Sequence, residues 1–176
     1  MARSAISLLI GLAVIGAYVL AQVLNEDPLP VPTETFIYSI NERDITSVEI
    51  THNGDTRRFE WDERSGEWVF DDVERSPVAQ DRWGGIPLLL SGPRVQRVLS
   101  VDQADLWRYG LDEPLTSIRL GLSDGLRLTV HVGIPSPDGE NDYVVREGSP
   151  QIVLVDRSWH EVLARLVTAP PFASRP

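Results

Sequence analysis

A long apolar segment near the N-terminus constrains this chain more than any other feature. The run from Ala5 to Leu24 carries no charge, and its polar side chains are limited to Ser7, Tyr18 and Gln22. At about 1.5 Å per residue, a helix of about 20 residues covers the roughly 30 Å hydrocarbon core of a bilayer. We therefore predict a transmembrane signal anchor over residues 1–25, which places the rest of the chain beside a membrane.

A cleaved secretory signal peptide is the alternative interpretation of the same segment. Val19-Leu20-Ala21 has the small final residue that a cleavage site requires. A signal peptide would become polar soon after its apolar core, whereas this run continues through Val23 and Leu24. The length of the run favours an uncleaved anchor.

The charges that flank the anchor predict its direction. Arg3 precedes the apolar run, and Glu26 and Asp27 follow it. Positively charged flanks remain in the cytoplasm, and acidic residues contribute little to orientation. We expect a single-pass protein of the bacterial cytoplasmic (inner) membrane, with a cytoplasmic N-terminus and a periplasmic or extracellular C-terminal domain.

Small residues recur along the predicted anchor, at Gly11, Ala13, Gly16 and Ala17. Small side chains at such spacing let transmembrane helices approach one another closely. We expect these positions to pack against another membrane helix; the alternative is lipid-facing sequence of ordinary composition.

A proline-rich linker is predicted over residues 26–34. The alternating prolines of Pro28–Pro32 favour polyproline II, a stiff spacer that rises about 3.1 Å per residue. On that rise, the linker would hold the following domain about 15–20 Å from the membrane surface.

The composition of the remaining chain excludes several classes of protein. About 150 residues are enough for one domain with a hydrophobic core. The net charge of −10 argues against a nucleic-acid partner. The absence of cysteine excludes disulfides, thiolate metal sites and thiol catalysis.

The domain begins with the pattern of a β-meander. Thr46, Val48 and Ile50 alternate with polar residues, as in a half-buried strand. Asn53-Gly54 is the dipeptide that best accepts the positive φ angles of a tight hairpin turn. Further strands are predicted over Arg57–Trp61 and Trp68–Phe70.

The pattern then becomes helical. Between Ala79 and Leu90, the apolar residues fall on one helical face, but Gly84, Gly85 and Pro87 predict a kinked or broken helix. Ser100 to Gln103 is similar to a capping box that opens a short second helix. Gly110 suits the left-handed position after that helix.

A second set of strands and a final helix follow. Strands are predicted at residues 118–122, 126–132, 143–146 and 151–155. Ser158 to Glu161 has the pattern of a capping box, and the apolar stripe beyond it predicts a helix that ends before Pro170.

Two segments of the domain are alike. Ile45–Ile50 is similar to Leu115–Leu120, and each precedes a turn, further strands and a helix. We therefore predict an α+β domain over residues 35–169, built from two similar β-meander-plus-helix halves, 35–99 and 100–169. Residues 170–176 form a tail.

The order of several short motifs resembles that of a known family. They are Gly66-Glu67-Trp68, Ala79-Gln80-Asp81, Tyr109–Pro114, Val132-Gly133 and Tyr143–Arg146, closed by a hairpin and a helix. The chain resembles the family named domain of unknown function 4340 over about residues 35–167. The Tyr-Gly-Leu-Asp-x-Pro motif at Tyr109–Pro114 is the most specific element.

The resemblance implies a membrane-anchored extracytoplasmic domain. Many members lie in gene neighbourhoods with ABC-type export or gliding-associated membrane proteins, and the family supplies no catalytic residues to transfer. This sequence departs from the pattern at Gly84, Gly85 and Pro87 and has a single domain copy. A role as a small accessory subunit is compatible with those departures.

The residues alone indicate no catalytic, cofactor or metal site. The chain lacks a Gly-x-Ser-x-Gly elbow, a P-loop, a dinucleotide fingerprint and a His-Glu-x-x-His motif. His52, His131 and His160 lack metal-ligand spacing and are expected on the surface. The loop from Pro137 to Asp142 is expected to be acidic and solvated, with calcium binding as the less favoured alternative.

A partner-binding patch is expected where tryptophan is exposed, because aromatic side chains are enriched in interface cores. Trp83, Gly84 and Gly85 are the predicted patch. We expect a non-enzymatic scaffold or accessory subunit whose partners are the lipid bilayer and other membrane-protein subunits. The alternative is a ligand-binding accessory of a transport system, and a hydrolase is a more distant third.

Overall fold

The domain is built on one antiparallel sheet. The computed structural model describes residues 35–99 and 103–173. In that part of the chain, eight strands pair in the order β3-β2-β1-β5-β6-β7-β8-β4. The strands are β1 (Ile45–His52), β2 (Asp55–Asp62), β3 (Glu67–Phe70), β4 (Val95–Leu99), β5 (Thr116–Leu122), β6 (Arg127–Pro135), β7 (Asn141–Arg146) and β8 (Ile152–Asp156).

Short helices accompany the sheet. They are α1 (Gln80–Trp83), α2 (Ile86–Leu90) and α3 (Arg157–Thr168), together with 3₁₀ turns at Glu42–Asp44 and Gln103–Tyr109. Within residues 35–99 and 103–173, no helix is both long enough and apolar enough to cross a bilayer. The predicted anchor (1–25), its small residues Gly11, Ala13, Gly16 and Ala17, the linker (26–34) and the Ser100 cap lie outside the described residues.

The predicted α+β class is confirmed at the level of an antiparallel sheet with a few helices. The two similar segments form β1 and β5, which lie side by side at the centre of the sheet. Val48 pairs with Leu120, and Ile50 with Ile118. The register thus pairs apolar residues of one segment with apolar residues of the other, around the central pair of Glu49 and Arg119. β4 does not extend the first meander; it pairs with β8 at the far edge.

One face of the sheet carries the core. Val48, Ile50, Ile118, Leu120 and Val130 are fully buried. α3 crosses this face, contacts β1 and β2, and contributes its own buried Leu163. The opposite face is polar, with Glu49 bound to Arg58 of β2 and Arg119 of β5. The alternation of apolar and polar residues along each strand produces this one-sided core.

Local signals in the sequence are confirmed where they depend on backbone geometry. Asn53 and Gly54 have φ angles of 52° and 87°, as a tight hairpin turn requires. The predicted broken helix is α1 and α2, separated at Gly84-Gly85. Pro87 lies in the first turn of α2, where its missing N–H removes no helical hydrogen bond.

The final helix begins differently from the prediction. α3 starts at Arg157, and its N-cap is Asp156, whose carboxylate accepts from the Ser158 N–H at 2.8 Å. Ser158 is therefore inside the helix, and the predicted capping box at Ser158 to Glu161 is wrong. A carboxylate two residues earlier satisfies the first free N–H and adds favourable charge at the helix N-terminus.

The most specific sequence motif, Tyr109–Pro114, makes close packing contacts with β6 and β7. Gly110 has a left-handed φ of 64° and lies against the Ile134 side chain. A Cβ atom on Gly133 would overlap the Tyr109 carbonyl oxygen. The Tyr109 ring meets the Tyr143 ring edge-on, with centroids 4.7 Å apart. Three separate motifs of the sequence thus meet where the Gln103–Tyr109 turn packs on β6 and β7.

A matched pair of glycine substitutions tests the close contact between Gly133 and the Tyr109 backbone. Gly133→Ala should lower the free energy of unfolding by about 1–3 kcal/mol, because the added methyl group meets backbone atoms that cannot rotate away. Gly85→Ala should change it by less than about 0.5 kcal/mol, since its Cβ would meet open space. Urea unfolding of both variants measures the difference, and equal effects would contradict this packing.

Candidate functional site

An exposed apolar surface surrounds the break between α1 and α2. Leu88 is 65% exposed, Phe36 42% and Trp61 41%. The backbone of Gly84 and Gly85 is also exposed between them. We call these five residues the α1–α2 surface. Exposed apolar side chains that cluster in this way mark binding sites more often than isolated ones do.

The surface is fixed by hydrogen bonds at the end of α2. The last three carbonyl groups of the helix each accept from a side chain: Leu88 from the Ser91 hydroxyl (2.8 Å), Leu89 from Trp159 Nε1 (3.0 Å) and Leu90 from the Tyr38 hydroxyl (3.0 Å). Burial raises the pKa of Tyr38 well above its usual range, so its hydroxyl remains a donor. A helix of only five residues is thereby held in one position.

α1 is tied to the C-terminal segment in a similar way. The Ala79 N–H donates to the Pro171 carbonyl at 2.7 Å. The guanidinium of Arg82 donates to the carbonyl groups of Ala169 and Pro170, at 2.5 and 3.1 Å. The segment that presents Gly84, Gly85 and Leu88 is therefore anchored at both ends.

Two grooves flank the α1–α2 surface. One, of about 320 Å³, is walled by Trp61, Trp68, Gly84 and Pro87. The other, of about 390 Å³, is lined on its apolar side by Phe36, Leu88, Leu89, Pro93 and Trp159. Both are open to solvent. Glu42 and Arg43 also line the first, but each groove exposes more apolar than polar surface, so both can receive apolar side chains from outside.

Trp83 is not part of this exposed surface, and its predicted surface position is wrong. It is 1% exposed, with its ring 4.5 Å from Phe59 and 5.2 Å from Trp68, centroid to centroid. The Nε1 atom of Trp83 is buried without a hydrogen-bond partner in the described part of the chain, and packing within the hydrophobic core holds the ring. The exposed tryptophans are Trp61 and Trp107.

A second cluster is polar and mostly buried. Asp142 Oδ2 lies 2.9 Å from His160 Nδ1, and His160 Nε2 lies 2.8 Å from the Thr116 hydroxyl. The same hydroxyl lies 2.7 Å from His52 Nδ1. We call these four residues the polar chain. It joins the ends of β1, β5 and β7 to the first turn of α3.

The polar chain corrects two predictions. His52 and His160 are partly buried and share hydrogen bonds with Thr116, so they are not simple surface histidines. Asp142 is 3% exposed, so the Pro137–Asp142 loop does not direct all its carboxylates to solvent. Within the described ranges, no three His, Asp or Glu side chains are arranged to hold a metal ion.

Burial affects the protonation of two histidines. It lowers the pKa of His52, and a charge on His160 would lower it further. It also lowers the pKa of His131, which bonds to Ser117, although Glu147 partly opposes that effect. The unfolded chain therefore binds more protons than the folded chain, so stability declines as pH falls below about 6.5.

An isosteric substitution tests the polar chain. Thr116→Val keeps the side-chain shape but leaves His52 Nδ1 and His160 Nε2 without their partner, so unfolding should become easier by about 1–3 kcal/mol. The control is Thr51→Val, because within residues 35–99 and 103–173 the Thr51 hydroxyl bonds to the partly exposed Thr56 hydroxyl and not to a buried histidine. Urea unfolding should show a loss of less than about 0.5 kcal/mol for the control. A Thr116→Val protein as stable as the control would contradict this assignment.

Comparison with known proteins identifies the family. The model of the family described as "Domain of unknown function (DUF4340)" matches residues 68–168, more than half of the chain. The match contains α1, α2 and α3, as well as Thr116, Asp142 and His160; His52 precedes it. No curated protein and no solved structure matches the chain. The match to the family model, over a range that holds most of the sheet, shows that this chain belongs to the DUF4340 family.

Proposed function

We propose that this protein is a non-enzymatic, single-pass membrane protein that serves as an accessory or scaffold subunit of a larger membrane complex. The observation that carries the proposal is the α1–α2 surface, which is apolar and exposed. Hydrogen bonds from Ser91, Trp159 and Tyr38 to the end of α2 hold it in place. Its expected occupant is an apolar segment of another membrane-protein subunit.

The rigidity of the surface favours binding. A flexible apolar loop would lose conformational entropy when a partner docks, whereas α2 is already fixed by Ser91, Trp159 and Tyr38. α2 contributes a residue to each of the two grooves, Leu88 to one and Pro87 to the other, and both grooves can accept side chains from the partner. The aromatic ring of Trp61 adds the kind of side chain that is enriched at interface cores.

The predicted anchor complements this surface. A tether in the same bilayer raises the effective concentration of both subunits, so a modest interface suffices. Phe36 is two residues beyond the predicted linker, and it lines one of the two grooves. Because the linker would keep this groove near the bilayer, we expect a partner in the same membrane to occupy it. In this proposal, Gly11, Ala13, Gly16 and Ala17 contact a helix of that partner, and the domain lies outside the cytoplasm.

The absence of an enzymatic role is supported by the polar chain. Asp142, His160 and Thr116 have the order of a carboxylate, base and hydroxyl relay. Thr116, however, is 0% exposed and its hydroxyl is enclosed by two imidazole rings. A nucleophile must reach its substrate, and this hydroxyl cannot.

The finer architecture forms part of the proposal. We infer that residues 35–99 and 100–169 are related halves of one domain. Glu49 and Arg119 occupy equivalent positions in the two similar segments, 70 residues apart, and pair directly in the β1–β5 register. An approximate two-fold axis through this pair would relate the two meanders.

A ligand-binding accessory of an ABC-type export or gliding-associated system is the second candidate. The groove walled by Trp61, Trp68, Gly84 and Pro87 favours it, since about 320 Å³ falls within the range of small-ligand sites. A ligand there would protect the Trp61 ring from solvent and quench or shift its fluorescence.

Detergent extraction tests the leading proposal. The full chain, tagged after Pro176, should require detergent for release from membranes and should co-purify with an integral membrane protein. Leu88→Asp should reduce the recovered partner by at least about tenfold, because a buried unpaired carboxylate costs well over 1.4 kcal/mol.

Leu126→Asp is the matched control, because Leu126 is also exposed but lies in the β5–β6 turn and lines neither of the two grooves. It should leave recovery of the partner unchanged. Equal recovery with both variants would contradict the assignment of the α1–α2 surface. Release of the full chain without detergent would contradict the anchor.

A further inference from the structure

The polar chain has one consistent arrangement of hydrogens when both histidines are neutral. An ionised Asp142 only accepts, so His160 must carry its proton on Nδ1. His160 Nε2 then accepts from the Thr116 hydroxyl. Thr116 in turn accepts from His52 Nδ1, which leaves His52 Nε2 to accept from the Asn53 amide Nδ2 at 3.0 Å. Every donor points along the chain toward Asp142.

Addition of one proton reverses the chain. A doubly protonated His160 donates from Nδ1 to Asp142 and from Nε2 to Thr116. The Thr116 hydroxyl has the two histidines as its partners within the described residues, so its hydrogen stays bonded only if it turns to His52 Nδ1. A hydroxyl hydrogen left unpaired in this buried position would cost free energy, which favours the turn. His52 must then carry its own proton on Nε2.

The reversal ends at the β1–β2 turn. A proton on His52 Nε2 would face the Asn53 Nδ2 group, and two donors cannot bond to each other. Rotation of the Asn53 amide, which presents its oxygen to Nε2, restores the bond. Asn53 is the first residue of the tight turn and has a φ of 52°, so its side chain lies at an exposed corner of the sheet.

We propose that His52, Thr116, His160 and Asp142 form a proton-operated switch, in which protonation of His160 beside Asp142 reorients the Asn53 side chain at the β1–β2 turn. The switch converts a change of proton concentration into a change in the hydrogen-bonding groups presented at that turn. It does not depend on the α1–α2 surface or on the anchor.

The surrounding charges leave this pathway intact. Asp55 is opposite His52 in register, and Glu161 follows His160 on α3 and pairs with Arg157. Both carboxylates are exposed, so water and salt screen them. His131 of β6 bonds to Ser117 and is not part of the chain. A second proton, on His52, is opposed by burial and by the charge on His160, which both lower the pKa of His52.

Imidazole ¹⁵N spectra of the full chain in detergent micelles test the switch directly. At the alkaline end of the titration, where both histidines are neutral, His52 and His160 should carry the proton on Nδ1. In the spectra where His160 carries a proton on both nitrogens, the His52 proton should have moved to Nε2. The side-chain amide signals of Asn53 should shift with the same midpoint. If His52 keeps one neutral tautomer over the whole pH range, the proposal is overturned. This measurement is made on the protein without any substitution.

Asp142→Asn is the diagnostic variant. An amide oxygen can still accept from His160 Nδ1, so the arrangement with two neutral histidines should persist, but the negative charge that pairs with a protonated imidazole is gone. The midpoint of the Asn53 shift should fall by at least one pH unit. His131→Gln is the control and should leave that midpoint unchanged. An unchanged midpoint in Asp142→Asn, or an equal shift in His131→Gln, would overturn the proposal.

Discussion

The domain depends on the burial of one apolar sheet face. Eight strands offer a broad surface, and the polar side chains of Glu49, Arg58 and Arg119 occupy its other side. An apolar face of this size is unstable in water unless another layer covers it. α3 covers one region of the face, and Trp83 and Leu90, from α1 and α2, join the same core.

This covering layer explains both candidate sites. α1 and α2 pack on the core by one side, so Trp83, Ile86 and Leu90 are buried while Leu88 is exposed on the outer side. α3 must be held against the sheet, and its His160 reaches across to Thr116 and Asp142. Both sites therefore arise from the helices that cover the apolar face of the sheet. The α1–α2 surface is on the outer side of this layer, and the polar chain lies where α3 meets the sheet.

Much of the fold could be predicted from local patterns. The Asn53-Gly54 turn, the break at Gly84-Gly85 and the left-handed Gly110 follow from backbone geometry, which the sequence encodes within a few residues. The pairing of β4 with β8 could not be predicted, because strand partners far apart in sequence are chosen by the whole core.

The sites were harder to predict for the same reason. Trp83 has the same local pattern whether it faces the core or the solvent, and only the positions of Phe59 and Trp68 decide this. The polar chain joins residues from three strands and one helix, so no sequence spacing marks it. The similarity of the two segments was one indirect indication of the polar chain. If the segments pair as neighbouring antiparallel strands, as β1 and β5 do, His52 lies opposite Thr116.

Hydrogen exchange in native membranes tests the central claim most directly, because it compares the assembled and the isolated protein residue by residue. The account predicts that amides of residues 84–92 exchange more slowly in the membrane complex than in the chain purified in detergent. Amides of β1 and β5 should be equally protected in both. Unchanged exchange over 84–92, with new protection elsewhere on the domain, would contradict it.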